Sequence, residues 1–231
     1  MKIVCVAVVA LSLISGCCSA PLACEKLMKP IEGIPDVSGR WYIIGLSTSL
    51  CLPSTLINAV LWPSITVDFV SKGTPDLYKS TTNVKMYGFC HNETLPLLIK
   101  GNYMTEVDEN DAPKGDSMSL LQTGCPDCFV ATGNDFIHSL MIASRRKNIT
   151  AAELDEFEMQ AKCLSLSKPQ YMNTDFDFED CKSFDNTTDE EDIIILAKIH
   201  ERVSSMCHLI IKCIIEAILY LFEKGTSVGW S

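Results

Sequence analysis

Basic residues are scarce in this chain: 19 lysines and arginines stand against 29 aspartates and glutamates, for a formal net charge of −10 over 231 residues. That balance argues against nucleic-acid binding, which neutralises phosphate with basic stripes. The same acidic excess keeps copies apart and fits a soluble extracellular monomer. Histidine is scarcer still, four in all (His91, His138, His200 and His208), and none sits at metal-ligand spacing with the cysteines. No zinc site is expected, no Ser/His/Asp hydrolase, and no cofactor. Long apolar runs are few. Past the N-terminus the longest is Leu209 to Phe222, which carries Lys212 and Glu216. It falls short of the roughly 20 residues a spanning helix needs, so any membrane contact is expected only from this tail.

The first residues are the exception. Lys2, the apolar run Ile3 to Ile14 and the small residues Gly16-Cys17-Cys18-Ser19-Ala20 predict a secretory signal peptide over 1–20. Pro21 hinders cleavage after Ala20, so cleavage after Gly16 or Ala23 stays open, as does a retained anchor. Export agrees with three glycosylation sequons, at Asn92, Asn148 and Asn186. Of twelve cysteines, Cys5, Cys17 and Cys18 fall in the leader and nine in the mature chain. In an oxidising compartment most should pair, and an odd count leaves at least one free or joined to another chain.

After a turn over Ile34–Gly39, the run Trp41 to Leu46 reads as a first strand. Cys51 to Ile57 reads as an apolar loop suited to a lid. Strand-like alternation follows over Ile65–Val70, Leu77–Phe89, Leu95–Tyr103, Ser117–Thr123, Cys128–Thr132 and Phe136–Ala143, broken by turn clusters such as Asp108–Gly115. About eight short strands with no crossover helices predict an antiparallel up-and-down barrel. The one convincing helix comes after the last strand. Thr150-Ala-Ala-Glu153 forms a capping box, and Leu154, Phe157, Ala161 and Leu164 recur at helical spacing.

Several segments carry a family likeness in order. Val37-Ser-Gly39-Arg-Trp41, Tyr87-Gly-Phe-Cys90-His-Asn92, Glu153 to Leu164 and Asp177-Phe-Glu-Asp-Cys181 together resemble lipocalins, in particular the α1-acid glycoprotein (orosomucoid) branch. Within that branch, Cys125-Pro-Asp-Cys128 and Ser144-Arg145-Arg146 look most like the fish saxitoxin/tetrodotoxin-binding and tributyltin-binding carriers. The middle motif departs from the family pattern at Thr132-Gly-Asn134-Asp-Phe136. The resemblance covers about 24–185. It implies an all-β domain with one flanking α-helix, an eight-stranded lipocalin barrel; the tail over 186–231 departs from the family pattern and reads as an apolar helix.

The resemblance further implies bridges Cys24–Cys163 and Cys90–Cys181, and a floor made of Gly39 and Trp41 with Arg145 over the indole. It places Val67, Phe69, Ser80, Thr82, Val130, Leu140 and Ile142 along the cavity, and a one-residue slip in any strand would turn these outward. It implies a secreted carrier of small hydrophobic or amphiphilic molecules, with toxins or xenobiotics among them, of plasma-transport or acute-phase type, and no enzyme. The hairpin setting of Cys125-x-x-Cys128 favours a local structural disulfide over a redox pair. Cys51 is expected to pair with a tail cysteine or another chain. The alternatives left open are an enzyme using Cys51 as a cavity thiol and an immunomodulatory or lipoprotein-associated glycoprotein.

Overall fold

The computed structural model describes residues 23–33, 36–134, 137–179, 181–184 and 187–226. The expected signal peptide (1–20), Ile34 and Pro35 of the opening turn, Asp135 and Phe136, and the sequon residue Asn186 lie outside the described residues.

Eight strands follow one another antiparallel: β1 (Gly39–Thr48), β2 (Ser64–Ser71), β3 (Leu77–Met86), β4 (Phe89–Lys100), β5 (Tyr103–Val107), β6 (Pro113–Leu121), β7 (Cys128–Gly133) and β8 (Ser139–Ser144). β8 pairs back onto β1, so the sheet closes into a barrel. Closure leaves no edge among these eight strands. The stretch expected as one strand over Leu77–Phe89 bends at Tyr87-Gly88, with φ of 56° and 97°, and Met86 faces Phe89 across the turn. Two successive positive φ values match the twist of a two-residue hairpin, which explains the glycine. β4 consequently starts at Phe89 rather than Leu95.

β1 carries an irregularity that divides the core. Its register with β8 shifts between Ile43 and Gly45. Ile43 and Leu46 turn into the barrel, while Ile44 joins the outer cluster. Gly45 also faces outward: a Cβ there would lie 3.1 Å from Tyr171 and 3.4 Å from Phe157. That missing side chain lets helix α2 (Ala151–Cys163) lie close to the wall.

α2 begins with the expected capping box, the Thr150 hydroxyl accepting from the Glu153 amide and Glu153 accepting from the Thr150 amide. Its Phe157 and Ala161 pack on Ile44, Val130, Leu140 and Ile142 outside the barrel. The fully buried Gln160 donates to the carbonyls of Leu27 and Gln122, which ties the N-terminal segment to the helix. The Cys24–Cys163 bridge repeats that tie covalently. Cys90–Cys181 fastens the segment after α2, whose short strand β10 (Lys182–Ser183) pairs parallel with β4, and β9 (Gln170–Tyr171) pairs with β1. Loops this long contribute on the order of 4–5 kcal/mol per bridge in the chain-entropy picture.

The Cys51 segment is not a loop. It forms helix α1 (Cys51–Leu56) running into a π-helical turn (Ile57–Leu61) that ends at Trp62 in the left-handed region, φ 40°. Pro53 is compatible because it sits in the first turn, where backbone N–H groups have no helical acceptor. The tail forms a longer helix than its apolar stretch indicates, α3 (Asp189–Thr226), of 38 residues. No helix among the described residues is long and apolar enough to cross a membrane.

Candidate functional site

One end of the barrel is plugged and the other is covered by helices. At the plugged end Trp41 packs edge-on to Phe129 with ring centroids 4.7 Å apart, and its indole N–H donates to the Val37 carbonyl at 2.8 Å. The Arg145 guanidinium lies 4.0 Å from the indole centroid and donates to the carbonyls of Asp36 and Arg40. Gly39 is required beside it on two counts. Its φ is +92°, and a Cβ would stand 2.9 Å from Arg145 Nη1. Gly39, Trp41 and Arg145 thus lie together as the resemblance implies, with Phe129 between Trp41 and the hollow above.

Above Phe129 lies a cavity of about 420 Å³. Val67, Phe69, Ser80 and Thr82 line it. They face one another across the β2–β3 ladder, Val67 opposite Thr82 and Phe69 opposite Ser80. The outer positions of the same strands are polar (Thr66, Asp68, Thr81, Asn83), and Arg40 grips Asp68 there through a bidentate contact.

Val130, Leu140 and Ile142 do not line the cavity, and this corrects the expected lining. All three are fully buried on the outer wall beneath α2. Val130 pairs directly with Ile142, so both share one face, and their neighbours Phe129 and Met141 point inward instead. The remaining wall comes from residues not singled out beforehand: Ile43, Leu46, Ile65, Leu95 and Leu97, with Met104, Met118, Met141 and Met172. Four flexible thioethers give that wall a shape that adapts to its contents.

Two carboxylates join the lining, Glu106 and Asp116. They lie toward the open end on β5 and β6, next to the register shift at Thr105/Glu106. Lys114, the cross-strand partner of Glu106 on β6, meets it at 3.3 Å. No cationic side chain is among the residues that line the cavity.

The open end is capped by α1 and the π-helical turn, which contributes Ile57 to the lining. α3 holds this cap down. Cys213 is disulfide-bonded to Cys51, and Arg202 stacks on Trp62 at 3.9 Å while donating to the Asn58 carbonyl. Burial lowers the Arg202 pKa from its ordinary value. A second crevice, of about 610 Å³, lies beside α3, but charged side chains (Lys85, Asp175, Lys198, Glu201, Arg202) make up much of its lining.

Four bridges exist among the described residues: the three expected (Cys24–Cys163, Cys90–Cys181, Cys125–Cys128) and Cys51–Cys213. The last consumes the thiol that an enzymatic reading would need. Cys207 is unpaired and exposed on α3, away from the cavity. The sequon residues Asn92 and Asn148 are both exposed, on β4 and ahead of α2.

A closed eight-stranded antiparallel barrel, one helix on its wall and an arginine over a tryptophan at the sealed end decide the architecture. The fold is that of a lipocalin. The solution structure of lipocalin 12 from rat epididymis superposes with a TM-score of 0.54 at 15% identity, over 68% of this chain and 94% of that one. The siderocalin Ex-FABP, described as functioning through dual ligand specificities, gives a TM-score of 0.47 at 13% identity over 60% and 94%. No protein-family model matches the sequence, and no curated protein matches it. Beyond its lipocalin barrel the chain adds α3.

Proposed function

We propose that this protein is a secreted carrier that holds one small hydrophobic or amphiphilic molecule in the barrel and does no chemistry on it. The observation that carries the reading is the cavity: a largely apolar wall, Ser80 and Thr82 as hydroxyls, and Glu106 and Asp116 near the mouth. A wall of this kind gains from removing apolar surface from water, and few polar groups orient the guest. Lys114 already pairs with Glu106, so Asp116 is the carboxylate of the lining with no ion partner among the described residues. It favours guests with an apolar body and a basic end over fatty acids, whose carboxylate would meet like charge. Toxins and other xenobiotics of that chemistry, carried in plasma, are the guests we infer. The bridges and the exposed Asn92 and Asn148 fit an oxidising, glycosylating export route.

Titrating the purified protein with an alkylamine and with a carboxylic acid of equal chain length tests the reading. The amine should bind at one site per chain with micromolar affinity and at least tenfold tighter than the acid. Asp116→Asn should narrow that preference. Saturable binding of neither class above millimolar affinity overturns the carrier reading.

A further inference from the structure

α3 has two faces with different fates. One packs against the cap, through Arg202 and the buried Cys213. The opposite face, from Cys207 onward, is apolar and bare: Ile211, Ile214, Ile215, Ile218 and Leu219 are all exposed, Ile211, Ile215 and Leu219 by more than half. Isolated apolar residues on a surface are ordinary, but a contiguous stripe of this extent marks a contact.

The stripe has a register. Cys207, Ile211, Ile214 and Ile218 follow one another at steps of four, three and four, the spacing that keeps one seam of a helix turned toward a partner helix. Lys212 and Glu216, the charged residues between Cys207 and Phe222, lie off this seam and pair with each other at 3.8 Å. Nothing charged therefore opposes a second seam of the same kind. Cys207, the one cysteine without a bridge among the described residues, sits on the seam itself.

We propose that the occupant of this face is a second copy of the chain, with the two α3 helices side by side and parallel, and Cys207 disulfide-bonded to its counterpart. In a parallel pair related by a two-fold axis each seam residue meets its own copy, so Cys207 meets Cys207 and three isoleucine layers stack beyond it. In an antiparallel pair centred on Ile214, Cys207 would face position 221 and no bridge could form. Two such faces together present on the order of 1,000 Å², the size at which an interface becomes specific. The seam is turned away from the face of α3 that docks on the cap, so the barrels lie on the outer sides of the helix pair. The monomer expected from the net charge is replaced, because that charge is carried away from the seam.

The bridge forms by exchange with a small disulfide such as oxidised glutathione. One Cys207 thiolate attacks it and releases a glutathione thiolate. The second Cys207 thiolate then attacks the mixed disulfide and releases the other, so the two electrons lost by the cysteine pair end on two glutathione thiols.

The full chain in a glutathione redox buffer, measured by light scattering and non-reducing electrophoresis, tests this. Twice the chain mass is expected, with a covalent dimer that reductant converts to single chains. Cys207→Ser should abolish the covalent species and retain reversible pairing. Ile211→Glu with Ile218→Glu should weaken pairing at least tenfold and slow cross-linking, with guest binding in the barrel unchanged. A single-chain mass, a trimer, cross-linking as fast in the double variant, or association with phosphatidylcholine vesicles in place of pairing overturns the proposal.

Discussion

Arg145 and Gly39 occupy one another's space: Nη1 of the arginine lies where a Cβ on residue 39 would come within 2.9 Å. The glycine is therefore part of the binding site of the guanidinium as well as a turn residue. Gly39→Ala combines a clash with a positive φ of +92°. A loss of about 1–3 kcal/mol is expected, read as a lowered urea midpoint. Unchanged stability would show that the arginine does not hold this position.

Arg145→Gln removes the cation over Trp41 and its reach to the carbonyls of Asp36 and Arg40. The expected cost is about 1–2 kcal/mol. Tryptophan emission should shift as the indole face becomes accessible, while guest affinity stays within twofold because Phe129 separates Trp41 from the cavity.

Leu140 and Val67 separate wall from cavity. Leu140→Ala deletes a fully buried group beneath α2, with an expected destabilisation of about 2–5 kcal/mol and unaltered affinity per folded molecule. Val67→Phe fills the cavity instead. It should lower guest affinity at least tenfold with little effect on the thermal midpoint.

Acid should weaken the α2 junction. Glu153 has its pKa lowered from the ordinary 4.5, first by the hydrogen bond from the Thr150 backbone and then by Arg146, which it meets at 2.6 Å. A carboxylate with a depressed folded pKa contributes stability that is complete above its unfolded value and is lost as pH falls through the folded one. Asp175, lowered by its bond to Lys85, acts in the same direction. Denaturation followed from pH 6 downward should show stability falling below about pH 4.5, and Glu153→Gln should flatten that slope.

The places where the sequence could be read follow from what covers each strand. β2 and β3 face water on their outer side, so Asp68, Lys79, Thr81 and Asn83 mark that face and leave Val67, Phe69, Ser80 and Thr82 for the interior. β7 and β8 are covered on both sides, by the cavity contents and by α2. Phe129-Val130-Ala131 and Leu140-Met141-Ile142-Ala143 accordingly show no polar alternation that could fix which side is in. The displaced register of β1 has the same origin, since Ile44 and Gly45 both face outward in an unbroken apolar run. The capping box at Thr150 is local chemistry and was legible. That Cys51 pairs with a tail cysteine was also legible, but which one was not, because it depends on where α3 lies rather than on spacing along the chain.

The bond between Cys51 and Cys213 gives the portal a mass and a stiffness it would otherwise lack. A short capping helix alone could flicker open in nanoseconds to microseconds. Joined to a rod about 57 Å long, it moves only when the rod tilts or its docking at Trp62 gives way, a collective displacement of microseconds to milliseconds. The residence time of a guest is then governed by the lever as much as by the walls. Reducing one sulfur–sulfur bond would reset that clock while leaving every cavity-lining residue in place.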